Sequence, residues 1–138
     1  MQDPTIKMID TFLRLCEERQ LTEAAKFLYR EAKLVFPGNT VYEDLNSLVT
    51  DSKSRYLSVR KSRDDYFVGV RTADGAQVCI STGTLSGSTL WGTGFNAVRY
   101  IDLFIVRDGL IHEQHVWNDL AEVGVVPTLA QRREYPFK

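Results

Sequence analysis

The sequence predicts an α+β domain in which three N-terminal helices pack against a cone-shaped, curved antiparallel β-sheet. Up to about residue 57, apolar residues recur at helical spacing; from about residue 66 onward they alternate at the two-residue period of strands. The dipeptides Asp74-Gly75 and Asp108-Gly109 are typical of hairpin turns. Helices followed by an antiparallel meander are characteristic of α+β domains. A curved sheet covered by helices on one face encloses an apolar pocket and leaves its other face for a partner subunit.

Three helices are predicted in the first half of the chain. Asp3 can cap the first helix and Pro4 suits its first position, where a missing N–H costs nothing. A second, shorter helix is expected from Thr22 to about Tyr29. A short extended run over residues 34–36 follows, and a third helix is expected from about Glu43 to Leu57. The buried face of the first helix is formed by its apolar stripe: Ile6, Ile9, Phe12, Leu13 and Cys16.

Four strands are predicted in the second half, over residues 66–72, 77–86, 96–107 and 110–120. The charged run over residues 60–65, RKSRDD, is interpreted as a solvated connector between the last helix and the first of these strands. Residues 87–94 are expected to form a loop that carries Trp91. Alternation along the third of these strands places one set of residues on the inner face: Tyr100, Asp102, Phe104 and Val106.

Length, charge and cysteine content exclude several classes of protein. The 138 residues are expected to form one domain, residues 1–138. With 17 basic and 18 acidic residues, the chain lacks the excess of positive charge that nucleic-acid binders carry. No apolar run approaches the roughly 20 residues that cross a bilayer, and the N-terminus does not resemble a signal peptide. Two cysteines without metal or redox spacing indicate free thiols, so we expect a cytoplasmic protein with no membrane or nucleic-acid partner.

The last predicted hairpin carries the most specific pattern in the chain. Its run over residues 100–111, YIDLFIVRDGLI, followed by VWNDL over residues 116–120, resembles the nuclear transport factor 2-like (NTF2-like) superfamily. The SnoaL-like and ketosteroid isomerase-like branch is the most similar, and the resemblance extends over about residues 5–122. It implies the curved-sheet cone, a pocket at its wide end and frequent homodimers. The superfamily includes isomerases, cyclases, dehydratases and epoxide hydrolases, so the fold alone does not choose a reaction.

The catalytic residues of these families are only partly present. Asp102 matches the oxyanion aspartate of ketosteroid isomerases. The general base of those enzymes corresponds to Phe36, and their tyrosine corresponds to about Phe12. The acid in the last strand of SnoaL-like cyclases corresponds to Val116. Because two of the three ketosteroid isomerase groups are absent, steroid isomerisation by that mechanism is not expected, and the cyclase acid is missing as well.

Asp102 is the candidate catalytic residue. Among apolar and aromatic neighbours its carboxyl would be desolvated, which disfavours the charged form. The carboxyl could then act in one of two ways, as a protonated hydrogen-bond donor or as a general base. Alternatively, Asp102 accepts hydrogen bonds from a tyrosine, Asn118 or Arg99 and organises the fold. Eight residues are predicted to bind substrate, with Tyr56 assigned to the end of the third helix: Phe12, Phe36, Tyr56, Tyr100, Phe104, Gln114, Val116 and Asn118.

The remaining chemistry-bearing residues receive structural interpretations. His112 and His115 are three apart, so alternation places them on opposite faces of the last strand, and we expect neither to bind a metal. Cys79 is expected to be a buried, inert thiol. Trp117 is predicted to lie on the outer sheet face near Ile101, where it favours a homodimer interface.

Two functions remain open at this point. In the first, the protein is a cofactor-independent isomerase, cyclase, dehydratase or hydrolase acting on a small hydrophobic oxygenated compound, with Asp102 as acid/base or oxyanion donor. In the second, it is a non-catalytic ligand-binding or dimerising scaffold.

Overall fold

The computed structural model describes residues 3–128, which contain three helices and a curved, unclosed sheet of six strands. The sheet order is β2-β1-β6-β5-β4-β3. The predicted α+β class is therefore confirmed. In chain order the elements are α1 (Pro4–Glu17), α2 (Leu21–Ala25), β1 (Leu28–Phe36), β2 (Thr40–Tyr42), α3 (Leu45–Lys53), β3 (Tyr56–Val70), β4 (Gln77–Thr89), β5 (Gly94–Arg107) and β6 (Leu110–Asn118).

Helix α1 begins as the sequence predicts. The Asp3 carboxylate accepts a 2.8 Å hydrogen bond from the Thr5 amide, and proline occupies the first turn. The middle of its apolar stripe is fully covered: Ile9 and Phe12 have no exposed surface. The helix therefore lies on the sheet through the predicted face.

The second predicted helix is much shorter than expected. Helix α2 ends at Ala25, and β1 begins at Leu28, so the expected helix to Tyr29 is wrong beyond its first turn. Leu28 pairs instead with Ile111 of β6, and this β1–β6 pair is the one parallel pair in the described sheet. Ala24, Ala25 and Leu28 fit helical spacing equally well, and the pairing with β6 overrides that local preference.

The largest departure from the predicted elements is β3. It starts at Tyr56, so the predicted connector over residues 60–65 is wrong: those residues are the middle of a 15-residue strand. Tyr56 consequently opens a strand and does not end a helix. Within this segment Lys61 pairs with Leu85, and Arg63 pairs with Gly83. Because Leu85 is buried, the Lys61 side chain is placed on the inner face of the sheet.

The two hairpin turns and the inner face of β5 match the prediction. Asp108 and Gly109 both have positive φ (51° and 73°), as a two-residue turn of this type requires. On β5, Asp102 lies between Ser81 of β4 and Val116 of β6. The four residues predicted to face inward are all buried: Tyr100, Asp102, Phe104 and Val106.

Two apolar clusters fill the space between the helices and the sheet. The larger one joins α1 and α2 to the sheet and includes Phe12, Leu34 and Phe104. The smaller one includes Leu85 and Tyr100 and is closed by the segment after β6, where Leu120 and Val125 are buried. None of the helices in residues 3–128 is long and apolar enough to cross a membrane.

Candidate functional site

A cavity of about 290 Å³ lies between the two apolar clusters. Members of both clusters border it, among them Phe12 and Leu85. Exposed residues at the end of α1 and in the β1–β2 turn, including Arg19 and Gly38, also line it, so the cavity reaches the surface there. The structure places eight of the nine predicted site residues in the lining: Phe12, Phe36, Tyr56, Tyr100, Asp102, Gln114, Val116 and Asn118.

Phe104 is the predicted site residue that does not line the cavity. It has no exposed surface and packs edge to face against Phe12, with ring centroids 6.0 Å apart. Its place on the inner face of β5 was predicted, but its position along the strand puts it inside the larger cluster. Phe104 therefore supports the wall of the cavity from behind.

The polar centre of the cavity is an ion pair between Asp102 and Lys61. The Lys61 Nζ donates a 2.6 Å hydrogen bond to Asp102 Oδ2. The Asp102 side chain is completely buried, and that of Lys61 is 18% exposed. A cation at this distance stabilises the ionised carboxylate and offsets its desolvation. The partner of Asp102 is thus a lysine, where the sequence analysis expected a tyrosine, Asn118 or Arg99.

Tyr100 holds Lys61 from a second side. The ammonium lies 4.6 Å from the centroid of the Tyr100 ring, within the range of a cation–π contact. The Tyr100 hydroxyl makes a 3.1 Å hydrogen bond with the Ser81 hydroxyl. Burial raises the pKa of Tyr100 to about 12, so its phenol stays protonated at neutral pH. Together these contacts fix the lysine beside Asp102.

Gly83 makes this arrangement possible. A Cβ added there would stand 1.8 Å from the Ser62 carbonyl oxygen and 3.0 Å from the Tyr100 ring. Only glycine lets β3 and the Tyr100 ring approach this point of β4 so closely. The glycine thus lets β3, which carries Lys61, and the Tyr100 ring of β5 both pack closely against β4.

Two buried acceptors in the cavity wall have no hydrogen-bond partner within residues 3–128. They are Asp102 Oδ1 and Gln114 Oε1. Such groups are rare in folded proteins, because leaving a buried acceptor unpaired costs about 1–3 kcal/mol. Their presence together at one cavity marks the place where a molecule from outside the chain can donate hydrogen bonds.

Several other polar residues of the lining are bound by partners within the protein or are unreactive. Burial raises the pKa of Cys16 to about 11, so it is not a ready nucleophile at neutral pH. Arg55 donates a 2.9 Å hydrogen bond to Asp51, and the Tyr42 hydroxyl donates to the same carboxylate. Asn118 Oδ1 accepts from the Leu120 amide at 3.1 Å. These residues shape the cavity rather than offer a second reactive centre.

A network of charges ties α1 to β3 next to the site. The Tyr66 hydroxyl donates a 2.6 Å hydrogen bond to Asp10 Oδ1, and Arg63 Nε donates to the same oxygen at 3.1 Å. Arg63 also donates a 2.6 Å hydrogen bond to Glu17. Although burial raises the pKa of Asp10, the hydrogen bonds from Tyr66 and Arg14 outweigh it and lower that pKa. The network anchors the helix over the strand that carries Lys61.

The histidines lie away from the cavity. Val106 pairs with Ile111 and Ile105 pairs with Glu113, so His112 is an extra residue in β6. Ile111 and Gln114 are three residues apart, yet both are buried, so the side chains of β6 do not alternate strictly here. The prediction that the two histidines face opposite sides assumed strict alternation, which this strand does not follow. In the described part of the chain, no group of three or more His, Cys, Asp or Glu side chains is arranged to hold a metal ion.

Comparison with known proteins gives matches in structure but not in sequence. No family model matches the chain, and no curated protein matches it. An NTF2-like protein of unknown function from Burkholderia pseudomallei superimposes with a TM-score of 0.73 at 10% identity, covering 88% of this chain and 95% of that one. TerC, co-crystallised with polyporic acid, gives 0.72 at 14% identity with the same coverage. A putative SnoaL-like polyketide cyclase from Jannaschia sp. CCS1 gives 0.64 at 17% identity, covering 89% and 93%.

The chain has the NTF2-like fold. At 10–17% identity these superpositions define the fold and leave the chemistry to the residues of this chain. Within this NTF2-like cone, the residue that sequence reasoning missed is Lys61. Lys61 lies inside a charged run that has no apolar alternation, so the sequence did not indicate a strand there. Only the pairing of β3 with β4 shows that the Lys61 side chain faces the cavity.

Proposed function

We propose that the protein binds a small, largely apolar, oxygenated compound in the cavity and acts on it by acid–base catalysis without a cofactor. The observation that carries this proposal is the Lys61–Asp102 ion pair in the wall of an otherwise largely apolar cavity. In such surroundings the attraction between the two charges is strong, and it fixes both side chains in position. Catalysis of proton transfer requires charged groups that are fixed in this way.

The two members of the pair divide the chemistry between them. The Asp102 carboxylate is an acceptor and can take a proton from the carbon next to a carbonyl group. The electron pair of the broken C–H bond then moves onto the carbonyl oxygen, and the Lys61 ammonium stabilises that negative charge. Return of the proton from Asp102 to the same or another carbon completes the cycle. Lys61 thus supplies the oxyanion stabilisation that the sequence alone assigned to a neutral Asp102.

The structural neighbours support a small molecule as the occupant. One of them was crystallised with polyporic acid, and another is described as a putative SnoaL-like polyketide cyclase. The cavity of about 290 Å³ is close to the lower end of the usual size of ligand pockets. Its lining combines aromatic and aliphatic side chains with few polar groups, which is the usual composition of such sites.

Deuterium incorporation measures this activity without knowledge of the natural substrate. A panel of small cyclic and aryl ketones is incubated with the protein in D₂O, and loss of the α-proton signal is followed by NMR. We expect exchange catalysed by the wild type and a loss of about 10²-fold or more in Asp102→Asn. Asp119→Asn is the matched control, because Asp119 pairs with Arg99 on β5 away from the cavity. Exchange that survives Asp102→Asn would overturn the assigned role.

A second candidate function is ligand binding without turnover. The observation that favours it is the apolar character of Phe12, Phe36 and Val116, which all line the cavity where related enzymes carry reactive groups. Under this alternative, compounds raise the melting temperature of the protein but none undergoes exchange. The NMR and melting experiments run on one panel therefore separate the two functions.

We also propose that the protein is a homodimer through the outer sheet face. Trp117 and Ile101 pair across β5 and β6 on that face, and they are 54% and 44% exposed. Large exposed apolar side chains on one sheet face are typical of an interface. Trp117→Lys should shift the sedimentation coefficient to that of a monomer. Trp91→Lys, at a tryptophan 53% exposed in the β4–β5 turn, should not. A wild-type monomer at high concentration would refute the interface.

A further inference from the structure

We infer that Lys61 is a covalent site: its side-chain amine condenses with the carbonyl group of a ketone bound in the cavity and forms an iminium ion. In the proposed function Lys61 acts only through its charge, so the covalent step is a further activity of the same cavity. It rests on the proposed function in one respect, because both require that the cavity admits a small carbonyl compound.

The first support is the position of Lys61 among the lysines of the chain. Its side chain is 18% exposed and lines the cavity. The other lysines within residues 3–128 are all exposed: Lys7, Lys26, Lys33 and Lys53. A lysine in a largely apolar pocket is the type that forms Schiff bases, because its neutral amine is the nucleophile and apolar neighbours disfavour the charged form. Lys61 is therefore the lysine at which a bound ketone meets an amine.

The second support is a partner that can carry the protons of this reaction. Lys61 Nζ donates a 2.6 Å hydrogen bond to Asp102 Oδ2, so transfer of one proton along this bond leaves a neutral amine beside a neutral acid. Asp102 also lines the cavity, and its other oxygen, Oδ1, has no hydrogen-bond partner within residues 3–128. Asp102 can therefore accept the proton of the ammonium and later donate a proton to the bound molecule.

The reaction balances without any further reagent. The lone pair of the amine attacks the carbonyl carbon, a C–N bond forms, and the electron pair of the C=O π bond moves onto oxygen, which takes the proton from Asp102. Asp102 then removes a proton from the nitrogen and gives it to the new hydroxyl group, which leaves as water while the nitrogen lone pair closes the C=N bond. In sum, one ammonium and one ketone become one iminium ion and one water, and Asp102 is again a carboxylate.

The surroundings of Lys61 suit the product as well as the amine. The iminium nitrogen has the same positive charge as the ammonium, so the Asp102 carboxylate remains its counter-ion. Lys61 Nζ lies 4.6 Å from the centroid of the Tyr100 ring, and the iminium ion keeps this cation–π contact. Because an iminium ion withdraws electrons more strongly than a ketone, the neighbouring C–H bond loses its proton to Asp102 more easily. The covalent step therefore assists the exchange of α-protons.

Reductive trapping on the full chain tests the covalent role. The probe is 2-tetralone, a ketone of two fused rings, which suits a cavity of about 290 Å³, about twice the roughly 150 Å³ of a cavity that binds benzene. Sodium cyanoborohydride reduces an iminium ion to a stable amine, and each adduct raises the mass of its peptide by that of the probe less one oxygen atom. We expect Lys61 to carry about tenfold or more adduct than Lys33 or Lys53, and Asp102→Asn to slow its formation about 10²-fold.

The variant Lys61→Arg separates a covalent role from an electrostatic one. Arginine keeps the positive charge beside Asp102 but forms no iminium ion, so this variant should lose both the adduct and most of the α-proton exchange. Exchange at the wild-type rate in a folded Lys61→Arg variant would show that the charge alone is used and would overturn the covalent role. Lys53→Arg is the matched control at the exposed end of α3, and it should leave the Lys61 adduct and the exchange unchanged.

The outcomes keep the covalent role apart from the proposed function. If Lys61 carries no more adduct than the exposed lysines, with 2-tetralone and with every ketone of the panel, the covalent role is overturned. Exchange that still depends on Asp102 in that case would leave the proposed function standing, with Lys61 acting as a charge. The absence of both adduct and exchange would overturn both. The peptide map is read on the wild type, so it decides the question even where Lys61→Arg fails to fold.

Discussion

Replacing Lys61 by methionine tests the ion pair most directly. The change removes the ammonium from Asp102 and from the face of the Tyr100 ring, while a side chain of similar length keeps the apolar contacts of the stem. Asp102 has no exposed surface, so its carboxyl would be left buried without a cation. Breaking a buried pair in this way costs about 3–5 kcal/mol. Because the Lys61 side chain is 18% exposed, we expect the lower end, about 3 kcal/mol.

Urea denaturation followed by tryptophan fluorescence measures this loss. Arg60→Met is the matched control: it alters the preceding residue of β3, which is exposed and opposite Ser86, and should change the free energy of unfolding by no more than about 0.5 kcal/mol. A loss below about 1 kcal/mol in Lys61→Met would refute the reasoning, because an exposed ion pair contributes no more than that to the free energy of unfolding. Equal losses in both variants would show that the strand, and not the pair, was disturbed.

Three further predictions concern packing and titration. Gly83→Ala places a Cβ 1.8 Å from the Ser62 carbonyl oxygen and should cost about 3 kcal/mol in urea denaturation, whereas Gly69→Ala, with open space at its Cβ, should be neutral or stabilising. Burial raises the pKa of both cysteine thiols to about 11. Iodoacetamide at pH 8 should therefore label the native protein about a hundredfold more slowly than the unfolded one. The free energy of unfolding should fall as the pH rises from 9 to 11, because the thiols ionise first in the unfolded chain. Tyr66→Phe should cost about 1 kcal/mol at pH 7. This difference should shrink as the pH falls below 3.8 and through the lowered pKa of Asp10, where its carboxylate takes up a proton. A difference that stays constant throughout acid titration would contradict that assignment.

Local sequence patterns predicted much of the fold, because caps, turns and strand alternation depend on interactions between neighbouring residues. The Asp3 cap and the hairpin turn at Asp108-Gly109 depend on a few neighbouring residues, and the structure contains both. The inner face of β5 depends only on alternation, so Asp102 was placed correctly. The same local rules failed where pairing between distant residues decides the structure. Leu28 fits a helix until β6 is known to pair with it.

The candidate site was predictable only in part, for the same reason. The apolar and aromatic lining follows from strand faces and from the resemblance to a known fold. Lys61 follows from neither, because the run around it is charged on both faces of an edge strand and contains no apolar alternation. Its partnership with Asp102 depends on both the β3–β4 and the β4–β5 registers, which bring together residues 41 apart in sequence. No local pattern encodes such a contact.

Stability alone does not account for an ion pair in this cavity. Replacing a buried pair by apolar residues of similar volume is often neutral or stabilises a protein by 1–4 kcal/mol. We therefore expect the double variant Lys61→Met/Asp102→Leu to regain most of the stability that Lys61→Met loses. A double variant that is stable but no longer catalyses α-proton exchange would place the role of the pair in the chemistry of the cavity. A double variant that stays unstable, together with a wild type that catalyses no exchange, would make the pair structural and favour the scaffold function.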